Sequence, residues 1–369
     1  MLKYEIIKQL RTPFVWLFAA ACVIINSLVI ISQDYEIRIV MNECRIAGII
    51  GTVDITNADI SVIEDDFLRD YASELTFKHS GFISEEQADD VLSFLINTHP
   101  VKMPDNLNSF IFDIAQQPFR QRIAEINQNG EYCFLNGGKT LHDMMYWNLL
   151  LICTGESMLF ALVISSKCGA HEYLEGTTQV VYSAKKGRSL AQTKLFAALA
   201  LTELLFAFVT VISAAVFLIR CPCFVLLDST LVLDEETSII YPWNTVTVAG
   251  YFGLNVLISA CISGIFTLIG YTFFGLFIKW RGNFIFGLTG ALIFTVLMYA
   301  VWSLPREFHG FVTVSNPVML LLDRIGQWFA ASVRGTCIPY FEVYAVVGWG
   351  ALFAVLGALV IRRIKKVNL

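Results

Sequence analysis

Six long apolar runs govern what this chain can fold into: Phe14 to Ile31, Tyr146 to Ser165, Leu195 to Ile219, Val246 to Ile278, Phe284 to Trp302 and Val343 to Ile361. Each is near or above the roughly 18 residues that cross a hydrocarbon core as a helix. A backbone in lipid has no water to bond, so such runs must satisfy their own N–H and C=O groups. Only 15% of the 369 residues are charged and 56% are hydrophobic, whereas a soluble domain carries about a quarter charged residues. The predicted fold class is an all-α polytopic membrane protein with six transmembrane helices.

Charge is distributed unevenly. Residues 34–145 hold 19 acidic and 8 basic side chains, a balance of −11 that leaves +6 for the rest of a chain whose total is −5. The reading is one acidic, mainly helical extracytoplasmic domain inserted between the first and second spans of a basic membrane body. A net negative chain cannot neutralise phosphates at large, so no nucleic-acid partner is expected. Lys3, Lys8, Arg11, Lys167, Lys185, Lys186, Arg188, Lys194, Lys279, Arg281, Arg362, Arg363, Lys365 and Lys366 all fall on one side if both termini are cytoplasmic, as the positive-inside rule asks. The resulting division is 1–12 interfacial helix, 13–33 first span, 34–145 outer domain, 146–166 second span, 167–193 cytoplasmic loop and 194–219 third span. It continues with 220–245 outer loop, 246–278 fourth span, 284–303 fifth span, 304–340 outer segment, 341–362 sixth span and 363–369 cytoplasmic tail.

Ala19, Ala20 and Ala21 are small enough for a signal peptidase, yet the apolar run continues past them, which reads as an uncleaved anchor. Ahead of it Leu2, Ile6 and Leu10 recur at helical spacing beside Lys3, Glu5 and Lys8, the pattern of a helix lying along the inner interface. Thr12-Pro13 marks a new helix start.

In the outer domain Phe67, Tyr71 and Leu75 share a helical face, Ser84 and Gln87 make a capping box, and Leu107, Phe110, Ile111 and Ile114 repeat at helical spacing. Residues 35–63, rich in Ile and Val, are also compatible with a strand or two. About 110 residues suffice for one small core. Cys44 and Cys133 stand at its two ends and would staple it in an oxidising compartment. Cys221 and Cys223, one residue apart, are badly placed to bond each other.

Two strings resemble catalytic motifs and fail. Gly137-Gly138-Lys139-Thr140 ends like a phosphate-binding loop, but the required first glycine is Cys133. His171-Glu172-Tyr173-Leu174-Glu175 has glutamate where a zinc HExxH has its second histidine. No catalytic or metal site is expected, and the chain is not read as an enzyme.

The segment Glu172-Tyr-Leu-Glu175-Gly176-Thr177, a short apolar stretch, Ser183, a basic turn with Gly187-Arg188, then Lys194 opening the next span resembles the cytoplasmic loop of ABC-2 type transporter permeases, membrane subunits of type V-like ABC exporters. The turn carries Lys185-Lys186 in place of the proline that often stands there. Six spans, an N-terminal interfacial helix and an insert after the first span extend the resemblance over nearly the whole chain. It implies that Glu172, Glu175, Gly176, Thr177 and Arg188 couple the chain to a separate cytoplasmic ABC ATPase, which binds the ATP and Mg, this chain holding no cofactor. It also implies a second permease, identical or sister, in the plasma membrane.

Glu156 and Glu203 lie inside spans, where an ionisable residue costs at least ~2.5 kcal/mol and by default marks a functional lining; both are candidates for a pathway or dimer interface. Glu203 is nine residues past Lys194, about 13 Å along a helix. The apolar stretch from Val318 to Val333 cannot be a seventh span without stranding the terminal basic residues outside, so a re-entrant or interfacial helix is expected. The 33 residues from Val246 to Ile278 exceed a bilayer and must tilt, kink near Gly264 or Gly270, or project.

The function expected is the permease of an ATP-driven exporter, with a cationic peptide antibiotic or toxin as cargo steered by the acidic outer surface. The alternative is a receptor or immunity protein whose outer domain binds a ligand without transport; an ion-coupled transporter is disfavoured by the lack of a repeat of spans. In a background free of reactive cysteines, a membrane-impermeant thiol probe applied to intact cells should label Asp90→Cys and spare Lys186→Cys. The reverse pattern would overturn the orientation.

Overall fold

A computed structural model describes residues 1–50, 59–78, 84–98, 105–129, 136–177, 185–235, 238–277, 283–301, 315–332 and 337–366. Among these, six helices are long and apolar enough to cross a membrane: Pro13–Ser32, Thr140–Glu172, Leu190–Arg220, Val248–Leu276, Asn283–Ala300 and Phe341–Lys365. The protein is thus mostly helical and multi-pass. After α1 (Leu2–Leu10), Pro13 opens α2 (Pro13–Ser32) at the first helical position, where its missing N–H has no partner to lose. There follow α3 (Asp34–Ile50), α4 (Asp66–Lys78), α5 (Ala88–Thr98) and α6 (Asp105–Asn129). Next, α7 (Asn136–Asp143) passes through a π-helical turn at Met144–Leu150 into α8 (Leu151–Leu174), the three together making the second span. The rest is α9 (Lys185–Arg220), α10 (Phe224–Leu227), β1 (Leu233–Glu235), β2 (Ser238–Pro242), α11 (Val248–Leu276), α12 (Asn283–Ala300), α13 (Pro317–Arg324), β3 (Ala330–Ser332) and α14 (Phe341–Lys366).

The fourth span, α11, is the hub, packing on the second, third, fifth and sixth spans. Asn255, Ser259, Ser263 and Thr267 recur every fourth residue along its buried face, a stripe of short side chains that lets neighbouring backbones approach. Thr267 donates to Thr202 on α9 at 3.0 Å. At Gly270 an added Cβ would overlap Ser165 Oγ and stand 3.1 Å from the Leu162 carbonyl on α8. At Gly287 on α12 it would stand 2.7 Å from the Phe274 backbone.

At one end of the bundle the connections after the first, third and fifth spans interlock. Arg220 pairs with Asp34, and α3 packs on α7 and α10. The expected self-contained core over 34–145 is not found among the described residues. Ile37, Val40, Ile46, Ile63, Leu68 and Ala72 join the main core, whereas α5 and α6 pack with Val232, Tyr241, Trp243, Ala331 and Cys337 from the other two connections. A three-stranded antiparallel sheet, order β1-β2-β3, pairs Ile240 with Ser332 and Tyr241 with Ala331. Buried Arg122 on α6 donates from Nε to the Pro242 carbonyl at 2.7 Å and from a guanidinium N–H to Thr245 Oγ1 at 3.1 Å. Asp89 accepts from Arg120 and, at 2.9 Å, from Gln116; the Arg120 hydrogen bonds hold its carboxyl below the usual range.

Several readings shift. Residues 35–50 form a helix and not a strand, because Ile37, Val40, Ile46 and Ala47 fall on one helical face and are buried there. On α4 the buried face is Leu68 and Ala72, with Phe67 outward. The Ser84 N–H does bond Gln87 Oε1 at 3.1 Å, the return half of a capping box. The second span is helical from Asn136 and the third from Lys185, so the connection read as 167–193 is helix at both ends.

Helix α13 has eight residues, about 12 Å, too short for a crossing. Asn316 Oδ1 caps it by accepting the Met319 N–H at 2.9 Å. The following turn is clamped by three spans: His142 Nε2 lies 2.7 Å from the Gly326 carbonyl, Tyr251 donates to Gly326 and Trp328 carbonyls, Asn255 Oδ1 accepts the Gly326 N–H, and Glu342 accepts the Phe329 N–H at 3.4 Å. Gly326 has φ +80°, and a Cβ there would press on Tyr146 and His142.

Gly270→Val forces α8 and α11 apart and should lower stability by about 1–3 kcal/mol, seen as a depressed melting midpoint in detergent. Gly253→Ala, where an added Cβ meets nothing within 4 Å, should leave the midpoint unchanged; equal effects would refute close packing at Gly270.

Candidate functional site

Helix α1 turns a mixed face, polar at its centre, to the bundle. Glu5 and Gln9 are buried with Ile6 and Leu10 packed against the core beside them, while Leu2, Tyr4 and Ile7 are exposed and suit a non-aqueous neighbour. The polar side meets α9, where Lys194, 1% exposed, forms an ion pair with Glu172, 3% exposed, at the end of α8. Glu5 attracts Lys194, and Lys8 repels it. Tyr271 of α11 donates to the Ala191 carbonyl at 2.7 Å. Helices α1, α8 and α9 are thereby joined by a buried charge cluster at the end of the bundle that holds the N-terminal helix.

Just beyond, α8 stops in a defined way. The Thr177 N–H bonds the Glu172 carbonyl at 2.9 Å, the Glu175 N–H bonds His171 at 3.0 Å, and Gly176 takes φ +69°. This is the six-to-one bond and left-handed residue of a Schellman cap, which glycine adopts without a Cβ penalty. Glu175 lies 3.2 Å from His171 Nδ1 with its side chain 58% exposed. Glu175, Gly176 and Thr177 therefore form an exposed tip on a rigid helix end.

The five residues assigned to coupling separate accordingly. Glu172 is buried within the chain itself: removal from water is tolerable for it because Lys194 is buried against it, and both would be stranded otherwise. Arg188 lies in the first turn of α9, its side chain outside the described residues. The expected Cys44–Cys133 pair falls partly outside them as well, since Cys133 is not described. Gly137-Gly138-Lys139-Thr140 lies within α7, a helix and not the loop that cradles phosphate.

The intramembrane carboxylates are not brought together. Asn26 of α2, buried, donates to Glu156 Oε2 and Ser213 Oγ at 3.1 Å each and to Cys153 Sγ at 3.4 Å, tying the first three spans. Glu203 is half-buried at the α9–α11 crossing, 3.3 Å from where a Cβ on Gly264 would stand, with Cys261 beside it. Ser213 is ten residues along α9 from Glu203, about 15 Å. Sequence reasoning missed Asn26, Glu5 and Lys194. Asn26 had a signal, an amide inside an apolar run; the other two looked like interfacial charges.

No group of three His, Cys, Asp or Glu side chains among the described residues could hold a metal ion. No protein-family model, curated protein or solved structure matches the chain.

Lys194→Met leaves Glu172 buried without that counter-charge and should cost about 3–5 kcal/mol, whereas Lys194→Met with Glu172→Leu should recover most of the loss. Thermal melting of the three proteins decides it; an unaffected single variant would show that the pair is not buried in the folded chain.

Proposed function

We propose that this chain is the membrane-spanning permease of an ATP-driven exporter, working as a dimer with separate cytoplasmic ATPase subunits in the plasma membrane, both termini inside. One observation carries the reading: an exposed Glu175-Gly176-Thr177 tip sits on a helix end locked to α1 and α9 by the buried Glu5, Lys194 and Glu172 cluster. A lever must be rigid to pass a push from a nucleotide-driven partner into the bundle, and bistable packed elements amplify small displacements of such a lever. On this reading the interlocked far end is extracytoplasmic, its acidic surface draws cationic peptide cargo, and Glu156 and Glu203 face the pathway or the second permease. Coupling rests on Glu175 and its two neighbours, with Glu172 bracing the lever from within.

Each charge-assisted contact buried at such an interface contributes about 1.5–3 kcal/mol, so Glu175→Lys should weaken ATPase binding roughly 10- to 100-fold. The melting midpoint of the isolated permease should be unchanged, because Glu175 is exposed. The measurement is co-purification of a nucleotide-hydrolysing subunit with wild-type and variant chains expressed with their native neighbours. Hydrolysing activity retained equally by both would remove the tip from the interface. A wild-type chain that retains none favours the receptor reading.

A further inference from the structure

Three cysteines converge where the connection after the first span meets the connection after the third. Cys44 is half-buried on α3, and Cys221 and Cys223 are buried between the end of α9 and the start of α10. α3 packs directly on α10, and the Leu226 backbone N–H of α10 points at the Cys44 sulfur. The Arg220–Asp34 ion pair ties the same two segments. Cys223 donates its backbone N–H to the Cys221 carbonyl at 2.8 Å, folding the Cys221-Pro222-Cys223 turn so that the two sulfurs share a hydrogen bond. Cys44 is coupled electrostatically to Cys221 and to Cys223.

We infer that Cys44 forms a disulfide with the Cys221–Cys223 turn, a covalent tie between the first and third connections that is independent of Cys133. Cys221 is the attacking sulfur. The thiol of Cys223 donates to it and lowers its pKa, and that same hydrogen bond, with burial, raises Cys223, whereas burial pushes Cys44 up to about 12; the thiolate is the nucleophile in such exchange. In the first step the Cys221 thiolate attacks one sulfur of a carrier disulfide, from a thiol–disulfide oxidoreductase or a small-molecule disulfide, and releases the carrier's other sulfur as thiolate. In the second, Cys44 loses its proton and attacks Cys221, forming the new S–S bond and expelling the rest of the carrier. The carrier gains two electrons and two protons and leaves as a dithiol, or as two thiols where it is a small-molecule disulfide. Burial of Cys221 and Cys223 places this exchange during folding, before α3 closes over α10, and shields the bond afterwards.

The inference rests on the reading that this end of the bundle faces an oxidising compartment. The full-length chain in native membranes is acid-quenched, denatured and alkylated with and without reduction. The expected result is seven alkylated cysteines without reductant and all nine with it. Trypsin should then yield residues 39–45, which hold Cys44, linked to the fragment that begins at Cys221. Cys44→Ser should restore full alkylation of the remaining cysteines. A link from 39–45 to the fragment carrying Cys133 overturns the inference. So do nine free thiols: together with external labelling of Asp90→Cys they overturn the disulfide alone, and with Asp90→Cys labelled only after permeabilisation they overturn the orientation with it.

Discussion

Where Gly270 of the fourth span meets Ser165 and the Leu162 carbonyl of the second, no side chain on the glycine separates the two helices. Contact between apolar helices in a bilayer gains little over contact with acyl chains, so association depends on close packing and on hydrogen bonds between helices. α11 supplies both, close packing through its stripe of short side chains and its glycines, and a hydrogen bond from Thr267 to Thr202 of the third span. Because this helix touches four others, its small residues set the spacing of the whole bundle. Asn26 does for the first three spans what α11 does for the rest, with one amide bonded to Glu156 and Ser213.

The two ends of the bundle are stiffened by different means. At the end carrying the long connections, a sheet and Arg122 join segments far apart in sequence, and the turn at Gly326 is held by the second, fourth and sixth spans together. At the other end a buried ion pair is closed over by the polar face of α1. A buried pair contributes little net stability over apolar packing, yet it is intolerant of losing one member. That property makes it suited to fixing geometry, since Glu172 has one low-energy place to lie.

Much of the helical layout was legible because lipid permits so few alternatives: the six runs, the break at Thr12-Pro13 and the short helix α1 follow from periodicity and capping chemistry, whereas a helix after Asn316 followed from charge placement and proved to stop at Arg324. The segment 34–145 was less legible. Its helices were recognisable, but the core of α5 and α6 is completed by Val232, Tyr241, Trp243, Ala331 and Cys337, and no local pattern announces pairing across more than a hundred residues. Glu172 is the instructive case at the candidate site. Its place in an ordered motif made it read as a contact residue, whereas the partner that buries it, Lys194, sits beyond the loop and reads as an ordinary basic flank.

What the sequence alone determined is whatever depends on local composition: the number of spans, the helical class, the excess of positive charge at one set of loops, and the helix break at Thr12-Pro13. Each follows from the cost of leaving a backbone group or a charge in hydrocarbon, a cost set residue by residue. Only the tertiary structure decided which charges are buried, which cysteines neighbour Cys44, and which polar face of α1 turns inward. Those outcomes depend on what arrives from elsewhere in the chain, because a charge or thiol becomes chemically distinctive only when folding removes its water and supplies its neighbour.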